Sequence, residues 1–177
     1  MRNFTFLIII ISVICCAPNH VFRDLENEEK VFIALDEYGL DSILKAIGEL
    51  KKVKELEIFN DSIEGWTIYP PLSAMDQWID EPPFRKIPSE LLALDGLEKL
   101  TLIGLNIQTL PEDFNKLENL EYLDLSMNKI TVSKEISKLK KLKKLKYLEL
   151  FGNRINMLDI ENWRRENPNI EIKYGGE

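Results

Sequence analysis

The stretch LEYLDLSMNKI, residues 120–130, places leucines two residues apart and ends on an asparagine and an isoleucine. The chain repeats this arrangement as VKELEIFNDSI from residue 53, LEKLTLIGLNI from residue 97 and LKYLELFGNRI from residue 145. Self-similar units of this size indicate a solenoid, because one unit cannot bury its apolar face alone. The L-x-L centre of each copy predicts a short strand with alternate side chains turned inward. Stacked copies therefore predict a parallel sheet over a continuous core.

The shared pattern, apolar-x-x-L-x-[LI]-x-x-z-x-I, resembles that of the leucine-rich repeat family, from about residue 53 to residue 172. The resemblance implies an α/β solenoid with short parallel strands on its concave face and helical or irregular turns on its convex face. In that family an Asn at position z bonds backbone groups in the turn after the strand, and Asn128 and Asn153 stand at this position. Leu105 stands there in the second copy, so we expect the turn at 103–107 to be less regular.

The N-terminal end of the stack needs a cap, because a terminal repeat would otherwise expose its core. Residues 24–52 are predicted to form this cap as helices. One helix is expected around residues 24–37. A second begins at Ser42, where Asp41 can accept hydrogen bonds from the first free backbone N–H groups. The segment before the cap, residues 16–23, is predicted to be a short tether.

The C-terminal end is predicted to hold one more strand. Ile170 and Ile172 follow Leu148 and Leu150 by 22 residues, and they match the two inward positions of a strand. Asn167 then falls where a core leucine is expected, and a polar residue there indicates the end of the stack. The repeat region is accordingly assigned to residues 53–177.

An insertion interrupts the repeats at residues 64–84. The copies start at residues 53, 97, 120 and 145, and the first gap of 44 residues exceeds the later gaps of 23 and 25 by about one repeat. The extra segment contains Trp66, Trp78 and four of the eight prolines. Long loops in compact domains are usually functional or disordered, and this one is rich in aromatic residues. Its tryptophans either pack the loop onto the scaffold or form an exposed recognition patch.

The outward residues of the strands predict a charged concave face. The alternation places one residue of each strand in a central column, which comprises Glu57, Thr101, Asp124, Glu149 and Glu171. The flanking columns comprise Glu55, Lys99, Tyr122, Tyr147 and Asn169 on one side, and Phe59, Ile103, Ser126, Phe151 and Lys173 on the other. Neighbouring carboxylates repel one another, so an acidic column favours a basic partner. In the alternative interpretation the acidic side chains point into water and bind nothing.

The concave surface is the one that solenoids usually offer to a partner. We therefore predict that this chain binds a basic or amphipathic protein there. The predicted contacts are Glu57, Asp124 and Glu149 through charge, and Phe59, Tyr122, Tyr147 and Phe151 through apolar area. Trp66 and Trp78 extend this site from the edge if the insertion is exposed.

The N-terminus is typical of an export signal. Arg2 precedes an apolar run from Phe4 to Ile14, which is too short to span a bilayer and fits the apolar region of a signal peptide. The following VICCA resembles the lipobox of bacterial lipoproteins, so residues 1–15 are predicted to be cleaved and Cys16 to be lipidated. An ordinary secretory signal is the alternative. The expected location is the bacterial cell envelope, on the outer membrane or the periplasmic side.

Catalytic chemistry finds no support in the sequence. The single histidine, His20, lies in the predicted tether, and no metal-ligand spacing or glycine-rich phosphate loop is present, so no cofactor is expected. The net charge of −7 argues against a nucleic-acid partner, since phosphate binding needs a basic face. The chain is predicted to be a non-enzymatic, lipid-anchored protein-binding module. The alternatives are a glycan-binding or a structural envelope protein.

Overall fold

The computed structural model describes residues 22, 24–34, 46–59 and 86–175 of the chain. In these residues a six-stranded parallel sheet follows the order of the sequence. Its strands are β1 (Lys30–Ala34), β2 (Glu55–Phe59), β3 (Lys99–Ile103), β4 (Tyr122–Asp124), β5 (Tyr147–Glu149) and β6 (Glu171–Lys173). The connections contain 3₁₀ helices at Ile47–Glu49, Ser89–Ala93 and Phe114–Lys116, and the α-helices α1 (Val132–Leu139) and α2 (Met157–Glu166). The predicted parallel solenoid is confirmed.

The core runs along the inner side of the sheet. Its inward ladder comprises Leu56, Ile58, Leu100, Leu102, Leu123, Leu125, Leu148 and Leu150, all of which are inaccessible to solvent. The segment just before a strand repeats one backbone turn, in which Leu97 N–H donates to Leu94 O at 3.1 Å and Leu120 N–H donates to Leu117 O at 3.1 Å. These leucines are also buried, so the turns before β3 and β4 add apolar side chains to those of the strands. Burial of this kind is the main favourable term in folding.

Two asparagines hold neighbouring coils together. Asn128 Oδ1 accepts hydrogen bonds from the N–H groups of Leu105 and Ile107, at 3.1 and 3.0 Å. Its Nδ2 donates to Leu102 O at 2.7 Å. Asn153 Oδ1 accepts from Ile130 N–H at 3.0 Å. Buried backbone groups need such partners, so the role expected for Asn128 and Asn153 is confirmed.

The turn at 103–107 departs from the later turns, as expected. Leu105 is fully buried at position z and supplies a core side chain in place of a polar one. Gly104 has φ +68° and Asn106 has φ +58°, whereas the later turns have one left-handed residue each, Met127 and Gly152. Asn128 of the following coil bonds the backbone that Leu105 leaves without a side-chain partner. Asn153 makes the same kind of contact with Ile130 N–H of its preceding coil, so the regular bonding between coils continues past Leu105.

The helical cap predicted for residues 24–52 is wrong at 30–34, where the chain forms β1. Val31 and Ile33 are buried while Phe32 between them is exposed, which is the period of a strand and not of a helix. β1 pairs with β2 in parallel register, with Val31 beside Leu56 and Ile33 beside Ile58. The second predicted helix retains a short helical segment at residues 46–49, and residues 35–45 lie outside the described chain. The solenoid therefore has one coil more than predicted.

The predicted tether, residues 16–23, is also corrected at Phe22. This side chain is buried in the hydrophobic core. Its backbone begins the same recurring turn as the other coils, since Leu25 N–H donates to Phe22 O at 2.8 Å and Glu28 N–H donates to Leu25 O at 3.0 Å. Phe22 thus belongs to the first coil. The predicted signal peptide (1–15), the lipidation residue Cys16 and the inserted loop (64–84) lie outside the described residues.

The last predicted strand exists as β6, but its register differs from the expected one. Ile172, and not Ile170, pairs with Leu148. Tyr174 packs against the core in the place that the alternation predicted for Ile172. The ring of Tyr174 and the guanidinium of Arg164 lie 5.1 Å apart, which fixes this aromatic residue at the end of the stack. The short I-x-I motif was therefore matched two residues too early.

Candidate functional site

The strand register defines the central column of the concave face. It consists of Phe32, Glu57, Thr101, Asp124, Glu149 and Lys173, each paired with the next. The expected place of Glu171 in this column is wrong, because the shifted register of β6 sets Glu171 beside Tyr147 and Lys173 beside Glu149. The column is therefore acidic in its interior, with an aromatic residue at one end and a cation at the other. Lys173 Nζ lies 3.7 Å from Glu149 Oε1.

A network across the face connects the central column with its neighbour. Lys99 Nζ lies 4.9 Å above the centre of the Tyr122 ring. The Tyr122 hydroxyl in turn donates to Glu149 Oε1 at 3.2 Å. Lys173 approaches the same carboxylate oxygen from the other side. Part of the acidic charge that the sequence left without a partner is thus balanced within the chain, and these side chains are held in place before any partner arrives.

Asp124 is the most buried acid of the face, with 7% of its surface exposed. Its Oδ1 accepts a hydrogen bond from Ser126 N–H at 2.8 Å, which fixes the turn after β4. Burial raises the pKa of Asp124 above its ordinary value, and the charge of Glu149 acts in the same direction. Burial, followed by the charges of Asp124 and Glu149, also raises the pKa of the Tyr122 hydroxyl, which stays protonated as a donor. The Asp124 carboxylate can therefore offer a partner little direct contact.

Accessible side chains cluster at the two ends of the face. Tyr147 is 47% exposed and Phe151 is 37% exposed, and both lie on the side of the sheet that also presents Glu149. At the other end, Phe32 is 64% exposed and lies beside Glu57 in the register. Phe59, at the end of β2, is partly buried. The centre, at Thr101 and Asp124, is covered, so a partner would meet two apolar and charged clusters.

Sequence reasoning missed Phe32, because its segment was assigned to a helix. A signal was present: Val31 and Ile33 precede Leu56 and Ile58 by 25 residues, which is the spacing between Leu123 and Leu148. The first coil lacks the leucines that defined the repeat, and Glu28 replaces the apolar residue at its start. Three further predicted residues lie outside the described residues: Trp66 and Trp78, predicted to extend the binding site, and Cys16, predicted to be lipidated.

A shallow recess of about 320 Å³ opens beside the C-terminal cluster, between Phe151, Lys173 and Tyr174. It is open to solvent and lined by both aromatic and charged side chains. Within the described residues, no group of three His, Cys, Asp or Glu side chains could hold a metal ion. Across the same residues, no helix has the length and apolar character needed to cross a membrane. The concave face therefore offers a partner exposed aromatic area and charged side chains.

Comparison with known proteins identifies the fold. Residues 95–155 match the family described as Leucine rich repeat. A disease resistance-like protein of Arabidopsis thaliana, DSC1, is 38% identical over 58 residues, which are 33% of this chain and 5% of that protein. Rabbit lumican (Oryctolagus cuniculus) is 32% identical over 128 residues, or 70% of this chain and 62% of that protein. The chain thus spans less than two thirds of either relative.

Solved structures include similar solenoids. A leucine-rich repeat protein of Leptospira interrogans shares 26% identity with a TM-score of 0.47, over 73% of this chain and 33% of the other. An internalin from Listeria monocytogenes shares 20% identity with a TM-score of 0.44, over 74% of this chain and 37% of the other. Together with the observed parallel sheet, the family match shows that this chain has the leucine-rich repeat fold.

Proposed function

We propose that this leucine-rich repeat chain is a non-enzymatic protein-binding module, anchored by a lipid on Cys16 to a bacterial envelope, and that it binds its partner through the concave face. The observation that supports this proposal best is the pair of exposed aromatic residues, Tyr147 and Phe151, beside Glu149. Tyrosine and phenylalanine supply large contact area at interfaces, whereas most other large apolar side chains among the described residues are buried. The family match supports a protein partner in general terms.

The face is suited to a basic or amphipathic segment. Apolar side chains of the partner would cover Tyr147 and Phe151, and a cationic side chain would approach Glu149. The Lys99–Tyr122–Glu149 network holds the Glu149 carboxylate in position, so this side chain loses little conformational freedom on binding. At the other end, Glu57 has no hydrogen bond or ion pair to any described residue, and it offers a second anionic contact beside Phe32. Asp124 lies largely buried behind these contacts, where it adds negative charge and supports the turn after β4.

The anchor would hold the binding face close to the membrane. Phe22 lies in the core, so few residues separate the proposed lipid on Cys16 from the first coil. Even fully extended, six residues span only about 20 Å. Metabolic labelling with a palmitate analogue tests the anchor: label should be lost in C16S and retained in C15S. Label that persists in C16S would contradict the assignment of Cys16.

The binding face is tested with two matched double variants. The Y147A/F151A variant removes the exposed aromatics of the concave face. The M157A/L158A variant removes two apolar side chains from α2, away from the concave face, that are more exposed still, at 61% and 59%. Using a partner isolated from the native envelope with the wild-type chain, we expect Kd to rise at least tenfold for Y147A/F151A, which is about 1.4 kcal/mol. M157A/L158A should bind as the wild type does.

Circular dichroism of both variants would confirm that they fold. Equal affinities for the two double variants would contradict binding through the concave face. The E57Q/E149Q variant then tests the charged contacts, and its loss of affinity should shrink as salt is added, because exposed charges are screened. The glycan-binding alternative would be favoured by an affinity that changes neither with salt nor in E57Q/E149Q but falls in Y147A/F151A. Sugar rings stack on aromatic side chains and need no charge.

A further inference from the structure

The outer edge of β6 presents backbone groups for pairing. Glu171 N–H donates to Lys146 O at 2.7 Å, and Lys173 O accepts from Leu150 N–H at 2.7 Å. Both residues therefore direct their backbone groups toward β5. Successive residues of a strand direct these groups to opposite sides, so the N–H and C=O of Ile172 point away from the sheet. Unpaired groups at a sheet edge are a template for another strand.

Arg164 occupies part of this edge. Its Nη2 donates to Ile172 O, and its guanidinium lies 5.1 Å from the centre of the Tyr174 ring. Arg164 reaches β6 from α2, so the helix places a charged donor at the carbonyl that a new strand would use. In the described residues, the Ile172 N–H has no hydrogen-bond acceptor. Arg164 thus occupies the carbonyl of Ile172 at this edge and leaves the N–H of Ile172 available.

The sequence of β6 is complementary to itself. In an antiparallel pair of two copies centred on Ile172, the two Ile172 residues would exchange N–H···O bonds. Glu171 of each copy would then stand directly opposite Lys173 of the other. Directly opposed side chains in an antiparallel pair have Cβ atoms about 5 Å apart, and opposite charges at this distance are favourable. Both side chains are about half exposed, at 55% and 51%.

We propose that the β6 edge is a self-association surface for a second copy of this chain, paired antiparallel about Ile172, and that Arg164 masks it. The arrangement is a two-fold one, in which the same patch serves both copies. A three-residue strand buries far less than the area of a standard stable interface, so the pair is weak and concentration-dependent. Freeing the Ile172 carbonyl from Arg164 strengthens it. This proposal is independent of binding through the concave face.

Sedimentation equilibrium of the full chain, in neutrally buoyant detergent with a reducing agent, measures the pairing over a concentration series. R164A should dimerise at least tenfold more tightly than the wild type. R165A is the matched control on the same helix, because Arg165 contacts Asn162 and not β6. It should associate as weakly as the wild type, and circular dichroism checks that each variant is folded.

Charge reversal identifies the surface. R164A/K173E places glutamates opposite each other in both halves of the pair, so its dimer should be lost. R164A/E171K/K173E restores opposite charges in exchanged order, so its dimer should return. A dimer that persists in R164A/K173E would overturn pairing through β6. Equal association of R164A, R165A and the wild type would overturn masking by Arg164, and a triple variant that stays monomeric would overturn the antiparallel register.

Discussion

At the residue scale, Gly152 shows how closely two turns approach each other. Its φ of +71° is a left-handed conformation, and a Cβ placed there would lie 2.9 Å from Met127 Sδ and 3.2 Å from Met127 Cα. The first contact could be relieved by moving a flexible side chain, but the second involves backbone. Met127 N–H also donates to Phe151 O at 2.7 Å, so the two turns cannot separate freely.

We expect Gly152→Ala to lower the free energy of unfolding by about 1–3 kcal/mol, through backbone strain and the contact with Met127. Gly96→Ala is the matched control, because its Cβ would meet only Val53 O, at 3.8 Å. Urea denaturation should show a shift below about 1 kcal/mol for Gly96→Ala. Equal shifts for the two variants would mean that the approach of the turns at Gly152 does not limit stability.

Asp124 gives a prediction for pH. Its pKa is raised by burial above its ordinary value of 3.8, so the folded chain binds this proton more tightly than the unfolded chain does. The stability that comes from protonated Asp124 is complete below pH 3.8 and is lost as the pH rises through the raised pKa. Asp124→Asn keeps the acceptor for Ser126 N–H and removes the titration. Relative to the wild type, its free energy of unfolding should rise with pH above 3.8.

Asp113→Asn is the control for this pH effect. A hydrogen bond from Lys116 lowers the pKa of Asp113, so its contribution to stability is present above 3.8 and is lost as the pH falls through the lowered pKa. The difference between Asp113→Asn and the wild type should therefore have the opposite sign of pH dependence. Urea unfolding from about pH 2 to about pH 8 covers both windows, which lie below 3.8 for Asp113 and above 3.8 for Asp124. A flat profile for Asp124→Asn would contradict the role of burial.

At the scale of elements, α1 is joined to the preceding coil by a buried carboxylate. Glu135 Oε2 accepts from Leu110 N–H at 3.0 Å and lies 3.0 Å from Lys138 Nζ. Lys138 Nζ also donates to Leu110 O at 2.8 Å and pairs with Glu112 at 2.9 Å. The backbone N–H and C=O of Leu110 are thus both hydrogen-bonded to side chains of α1. Glu135 is buried, whereas the Glu112 side chain is 86% exposed.

We expect Glu135→Ala to lower the free energy of unfolding by about 3 kcal/mol, because it leaves the Leu110 N–H buried and unpaired beside a partly buried cation. Glu112→Ala removes the other acid that contacts Lys138, but it is solvated, so its urea midpoint should stay close to that of the wild type. Glu135→Gln keeps an acceptor and should fall between them. A larger effect of Glu112→Ala would show that the exposed pair dominates.

The elements that the sequence predicted well are those whose pattern is local. Strands β2 to β5 follow from their alternating leucines, and the role of Asn128 follows from its place in the turn. β1 was missed because its charged flanks fit a helix as well as a strand. Pairing with β2 makes this segment a strand. The register of β6 goes with a contact between Tyr174 and Arg164 of α2, which belong to different elements and which a repeat pattern does not show. The burial of Asp124 likewise depends on a neighbouring strand.

At the scale of the whole molecule, the stack begins earlier than the repeats suggest. A solenoid is stabilised mainly by contacts between neighbouring coils, so a change at one end acts first on that end. Phe22 and Phe32 lie in the same coil, but Phe22 is buried in the core while Phe32 is exposed. The two phenylalanines therefore separate the contribution of the core from that of the surface.

We expect Phe22→Ala to cost about 3–5 kcal/mol in the first coil, as the loss of a buried phenylalanine does elsewhere. Because coupling runs between neighbours, hydrogen exchange should accelerate first in β1 and β2, while the Ile130 amide, which is bonded to Asn153, keeps its protection. Phe32→Ala removes an equal side chain from the exposed face and should leave exchange unchanged throughout. Uniform acceleration in Phe22→Ala would show that the six strands unfold as one cooperative unit, and unchanged exchange would place residue 22 outside the solenoid.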